Sequence, residues 1–211
     1  MQERATTTRT AILEAAARLF DEKGYAATSI SEISALSGRT SGAVYFHYTS
    51  KENLARAVVE AHFAAWPPLI GGADSAGCPM ERLVLLSFLV ARAFRDDVVV
   101  RAGARLWSER KAIDAVLPVP FVGWIETVTA LLRDARLRGD LSPGVDPQAA
   151  GRSVVCAFYG LHTVSDALDG RRRIEAHLVD LWHLLLPALQ PGPDPAALLT
   201  RVRDRLPVAR G

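Results

Sequence analysis

The sequence predicts an all-α protein with an N-terminal three-helix head followed by a larger C-terminal helical body. Three observations carry this. Apolar residues recur every three or four positions over most of the 211 residues, and no stretch alternates as a strand would. Capping signals and glycine stops punctuate those periodic stretches. Hydrophobic residues make up 49% of the chain and charged residues 23%, a globular balance that supplies a core for packed helices. The sequence contains no internal repeat.

The first helix is expected over about 8–23, where Ile12, Ala16, Leu19 and Phe20 share one face and Gly24 stops it. Ser29 and Glu32 have the spacing of a capping box and open a short helix through Ile33 and Leu36. Ser37-Gly38 breaks that helix, and a third short one follows over about 41–47. Thr49 and Glu52 repeat the capping-box spacing and predict a fourth helix running to Trp66. Pro67-Pro68 ends it, because proline cannot continue the hydrogen-bond ladder. The Gly/Ala/Asp-rich residues 69–79 are expected to form a loop. Further helices are predicted over 79–95, 97–107, 121–138, 147–168 and 173–189, with breaks at Pro118-Val119-Pro120, Gly139 and Gly170. The tail from Gln190, which contains PGPDP, is expected to be mobile apart from a helical turn or two.

Composition and motifs exclude several functions. No apolar run approaches the roughly 18 residues of a membrane span, and MQERATTTRT has no hydrophobic core of a signal peptide, so the expected address is the cytoplasm. Cys78 and Cys156 are expected to be separate reduced thiols, and no Cys/His cluster suggests a metal or a cofactor. Gly72-Ala73-Asp74-Ser75-Ala76-Gly77 fails as a nucleophile elbow, having an extra residue before the serine and no preceding strand. No phosphate loop, zinc-protease motif or dinucleotide fingerprint is present, so an enzyme is not expected. The net charge of +2 says little about nucleic acid. Residues 1–52 balance six basic side chains (Arg4, Arg9, Arg18, Lys23, Arg39, Lys51) against six acidic ones.

Geometry points further than charge. Two short helices joined at Ser37-Gly38-Arg39-Thr40 have the pattern of a helix-turn-helix, whose second helix enters the DNA major groove N-terminus first. Thr40, Ser41 and Gly42 then meet base edges, with Gly42 allowing close backbone approach. Tyr45, His47 and Tyr48 are placed to reach phosphates, and Lys51 adds a cation at the start of the fourth helix. Thr28 and Ser29 sit where a helix N-terminus favours an anion. Phe46 is expected in the core, and His47 fits packing as well as phosphate contact.

The stretch AARLFDEKGYAATSISEISALSGRTSGAVYFHYTSKENL closely resembles the DNA-binding head of the TetR family. Over about 11–54 the residues in register are Phe20, Gly24, Tyr25, Thr28, Ile33, Gly42, Tyr45, His47, Tyr48, Lys51 and Leu54. The resemblance implies a dimeric repressor that leaves double-stranded operator DNA when a small molecule fills the body. Ser41 stands where many members carry lysine, which implies weaker phosphate contact or altered base preference.

In the body, FRDDVVVRAGARLWSER, LPVPFVGW and DPQAAGRSVVCAFYGLHTVSD resemble the γ-butyrolactone autoregulator receptors and their butenolide- or furan-sensing relatives. That resemblance implies control of antibiotic-biosynthesis genes and a tryptophan, Trp124, against an apolar signalling ligand. On pattern alone a tryptophan on an apolar stripe is more often core than ligand wall, and Trp124 leads a stripe with Val128, Leu131 and Ala135; only the resemblance turns it towards the ligand. The remaining candidate ligand residues are His62, Trp66, Phe88, Trp107, Thr127, Tyr159, Thr163 and Trp182. A sensor of an antibiotic, a biosynthetic intermediate or a foreign drug is the alternative. Arg105 and Glu109 are expected on a solvated face, and Arg171-Arg172-Arg173 in water. The last two long helices are too apolar to face water and are expected to pair with their symmetry mates as a four-helix bundle. The expected division is 1–52 as DNA-binding head and 53–211 as ligand-binding and dimerisation body.

Overall fold

The structure, a computed structural model, describes residues 2–73, 77–119, 121–190, 192 and 194–207. Ser75, Pro120, Pro191 and Pro193, which figured in the motif and break assignments, lie outside the described residues. Among those described there are helices and no strand. In chain order they are α1 (Gln2–Lys23), α2 (Ile30–Ser37), α3 (Ser41–Tyr48), α4 (Lys51–Ala64), α5 (Trp66–Ala73), α6 (Pro79–Asp96), α7 (Val98–Ser108), a 3₁₀ turn (Arg110–Ala112), α8 (Phe121–Leu137), α9 (Pro147–Asp169), α10 (Ile174–Leu189) and α11 (Pro195–Asp204).

These helices form two compact units, and the chain passes between them at Trp66–Pro67, at Arg95–Asp96 and after Val119. The first unit holds α1–α4 with α7 and the 3₁₀ turn. Its core joins Ile12, Ala16 and Phe20 of α1, Ile33 of α2 and Val44 of α3 to Leu54, Val58 and Val59 of α4 and Ala102 and Leu106 of α7. The compact units therefore do not divide at residue 52. Helix α4 buries one face in the head, and α7, nearly forty residues further on, closes that face over both α1 and α4.

The second unit holds α6 and α8–α11. Helices α8 and α9 pack closely at Gly151, where a Cβ would lie 2.5 Å from the Thr129 hydroxyl oxygen. Trp182 of α10 donates its indole N–H to Ser87 of α6 at 2.8 Å. Arg92 and Arg95 of α6 both bind the Glu175 carboxylate of α10, at 3.0 and 2.7 Å.

Several expectations are corrected. Pro67 and Pro68 do not lead into a loop but lie in the first turn of α5, where a missing N–H costs nothing. The N-cap of α4 is Ser50, whose hydroxyl accepts from the Asn53 N–H at 3.2 Å; Thr49 instead ends α3 with φ 64°. The tail is not loose over its described length. Asp194 caps α11, and Leu198, Leu199 and Val202 bury its inner face. Arg171 is not in water: it is buried, with φ 63°, paired to Asp166 at 2.9 Å and lying 5.8 Å over the Phe94 ring.

Candidate nucleic-acid interface and effector-binding body

The helix-turn-helix is held by local chemistry. Ser29 caps α2 as half of a reciprocal capping box: its hydroxyl accepts from the Glu32 N–H, and Glu32 accepts from the Ser29 N–H at 2.8 Å. Glu32 is also paired with Lys23 at 2.7 Å; that hydrogen bond, with those from Ser29, lowers its carboxyl to about 2. Gly38 closes α2 at φ 65°, a conformation that a Cβ would strain. The Ser34 hydroxyl then donates to the Arg39 carbonyl at 2.5 Å, fixing the turn. Thr40 caps α3 by accepting from the Ala43 N–H at 3.2 Å.

The outcome is an exposed face at the start of α3, made of Arg39, Thr40, Ser41 and Gly42 and, beyond half-buried Ala43 and buried Val44, of Tyr45 and Phe46. Phe46 is 82% exposed, so its assignment to the core is wrong. Positions 44 and 48 take the inward face of this short helix, as Val44 and Tyr48, and a residue two positions from each must point away. Arg39, read from the sequence only as part of the turn, is exposed beside Thr40. His47 is half-buried, edge-on to Phe46 at 5.2 Å.

Two candidates turn inward. Thr28 is 2% exposed, and its hydroxyl lies 2.8 Å from the Gly24 carbonyl and 3.2 Å from that of Leu19 as donor. It ties the chain to the end of α1. Tyr48 is 5% exposed and donates its phenol to the Arg9 carbonyl at 2.9 Å. Lys51 is half-buried, its ammonium 4.2 Å from the Tyr25 ring centroid; burial lowers its pKa against the pull of Glu52 and Glu32.

Arg105 and Glu109 do not form a solvated face. Arg105 donates to Glu109 at 3.0 Å and to the Asp21 carbonyl at 2.6 Å, while Glu109 accepts the Tyr25 backbone N–H at 2.7 Å. Arg101 adds an ion pair to Asp21 at 2.8 Å. Helix α7 is thereby clamped to the end of α1.

Of the candidate ligand residues, three belong to the first unit. His62 is buried with Nδ1 2.8 Å from the Val100 carbonyl, and its ring lies edge-on to Trp66, also buried, at 4.7 Å. Trp107 is half-buried beneath the Arg110 guanidinium at 4.1 Å. The other six belong to the second unit. Phe88 and Trp182 are fully enclosed, Trp182 at 1% exposure. Trp124 and Thr127 are half-buried, and Tyr159 and Thr163 are exposed. The Thr127 and Thr163 hydroxyls donate to carbonyls four residues back, Gly123 and Tyr159, both at 2.8 Å. Tyr159 lies edge-on to Phe121 at 5.1 Å and to His162 at 5.0 Å, and buried His162 stacks on Phe94 at 4.2 Å. This aromatic cluster brings in Phe94, Phe121 and His162, which were not among the ligand candidates.

Helices α9 and α10 present Tyr159, Val164, Leu168 and Leu184 outward, Leu184 at 76% exposure. No helix of the described residues is long and apolar enough to cross a membrane.

A capped, exposed recognition helix on a small head, joined to a separate helical body, defines a helix-turn-helix transcriptional regulator. Residues 12–58 match the model of bacterial regulatory proteins of the tetR family. Residues 78–191 match the tetracyclin repressor-like C-terminal domain. The chain is 33% identical over 192 residues to the A-factor receptor protein of Streptomyces griseus, spanning 90% of this chain and 67% of that one. A solved structure concerned with control of antibiotic production by bacterial hormones is 46% identical, with TM-score 0.81 over 87% of this chain and 97% of the other. A γ-butyrolactone receptor is 33% identical, with TM-score 0.81 over 96% of this chain and 100% of the other. The chain belongs to the TetR family of transcriptional repressors.

Proposed function

We propose that this repressor binds palindromic operator DNA as a homodimer and releases it when a small γ-butyrolactone-like molecule occupies the body, controlling secondary-metabolite genes in the cytoplasm. It acts by binding, without catalysis. The observation that carries the DNA half is the exposure of Arg39 to Gly42, Tyr45 and Phe46 around a helix start whose turn and cap are hydrogen-bonded. Thr40, Ser41, Gly42, Tyr45 and Phe46 meet the groove; Ser29, His47 and Lys51 meet phosphates; Thr28 and Tyr48 hold the head that presents them.

Dimerisation follows from the outward faces of α9 and α10. Val164, Leu168 and Leu184 leave water only if a second copy covers them. Likeness to γ-butyrolactone receptors supports the ligand class, and half-buried Trp124 with buried His162 stacked on Phe94 supplies apolar surface with a polar group.

Selection of duplexes from a random pool, followed by footprinting, tests the reading. The recovered site is a palindrome with half-sites about 34–36 Å apart or a multiple of that. Addition of a γ-butyrolactone releases it. Leu184→Glu gives a monomer in sedimentation and abolishes protection. Failure to recover any duplex overturns the DNA reading. Release by an antibiotic or its precursor, and not by γ-butyrolactones, replaces the hormone with the product as ligand.

A further inference from the structure

We infer that Tyr25 is a positioning residue for DNA binding: its ring face holds the Lys51 ammonium where that cation delivers one phosphate contact. This rests on the proposed DNA reading and adds a residue that does not itself touch DNA. Tyr25 is buried and fixed at three points. Its backbone N–H donates to Glu109 at 2.7 Å, its phenol donates to Glu52 at 2.7 Å, and its ring stacks on Phe20 with centroids 6.1 Å apart. On this anchored ring sits the Lys51 ammonium, 4.2 Å from the centroid, well within cation–π range.

The placement matters because Lys51 has competing partners. Glu52 is its neighbour, and both Glu52 and Glu32 attract its charge. The Tyr25 phenol engages the Glu52 carboxylate and holds it low in the carboxylate range. One residue thus seats the lysine and occupies its nearest counter-ion. Lys51 is the first residue of α4, three positions beyond the end of α3. Its long flexible stem would otherwise have to be ordered when DNA binds. Glu109 extends the hold to α7, so any shift of α7 acts on the same ring.

The test uses the full chain and a labelled 30-base-pair duplex recovered by selection, with Kd measured against salt concentration. Each phosphate contact contributes about one to the slope of log Kd on log salt. Lys51→Ala, which removes one contact from each protomer of the homodimer, lowers that slope by about two. Tyr25→Leu lowers it by the same amount and Tyr25→Leu/Lys51→Ala by no more than either alone, while Tyr25→Phe, which keeps the ring but frees the Glu52 carboxylate, falls between the unaltered protein and Tyr25→Leu. A purely structural Tyr25 would weaken binding while leaving the slope intact. An unchanged slope in Lys51→Ala overturns the inference without requiring Tyr25→Leu to fold, as does an unchanged slope in folded Tyr25→Leu. If no duplex is recovered, the DNA reading fails instead.

Discussion

Gly103 of α7 and His62 of α4 meet so closely that a Cβ at position 103 would lie 2.3 Å from the His62 Cβ. The only side chain this crossing admits is a hydrogen atom. Elsewhere in a helix, Gly→Ala gains about 1 kcal/mol in propensity. Here overpacking costs about 1–3 kcal/mol and outweighs it. Gly103→Ala is expected to lower the melting temperature; an unchanged or raised one refutes the close packing of α4 on α7.

The same histidine makes the first unit sensitive to acid. Burial pushes His62 down to about 4, against the opposing influence of the Val100 hydrogen bond and Asp97. The carbonyl can only accept, so the neutral ring carries its proton on Nδ1. The unfolded chain takes up a proton near pH 6.5 and the folded one only near 4. Stability is therefore complete above 6.5 and declines as pH falls towards 4, by about 3 kcal/mol at most. Denaturant melts across this window show the slope, and His62→Gln should flatten it.

Phe46 and Tyr48 lie two residues apart and should behave oppositely. Phe46→Ala removes an exposed ring and is expected to change stability by no more than about 0.5 kcal/mol. It should weaken operator binding by about 1 kcal/mol, roughly fivefold, through a lost apolar base contact. Tyr48→Phe removes the bond to Arg9 and should cost about 1 kcal/mol of stability. Thermal melts and fluorescence anisotropy on one duplex separate them; a Phe46→Ala that melts early restores the core assignment.

Trp124 and Trp182 divide in the same way. Trp182→Ala empties an enclosed site and breaks the Ser87 hydrogen bond, for an expected loss of about 3–5 kcal/mol. Trp124→Ala is expected to leave a folded dimer that still binds operator but is no longer released by a γ-butyrolactone. Burial against the ligand supplies about 1.5–3 kcal/mol of the differential affinity that release requires. A strongly lowered melting temperature with intact release would return Trp124 to the core.

Most helix positions and the helix-turn-helix, though not α5, α11 or the Ser50 cap, were legible in the sequence because their causes are local. The Ser29–Glu32 box, the Gly38 stop, the Asp97 and Pro147 starts and the apolar stripe from Val128 to Ala135 act over one or two turns. The family resemblance rode on the same short-range pattern. Tertiary structure alone decided which faces are covered, because that depends on partners remote in the chain. Phe46 points out and Thr28 and Tyr48 point in once α1 has taken the inner side of the head. Arg105 and Glu109 left the solvated face because Asp21 and Tyr25, more than eighty residues earlier, gave them partners. Arg171 was drawn inward by Asp166 and the Phe94 ring. Local signals specify a helix-turn-helix head on a helical body; docking α7 onto α1 and α4 sets where the first compact unit ends, because no local signal records which distant helix will bury an apolar face.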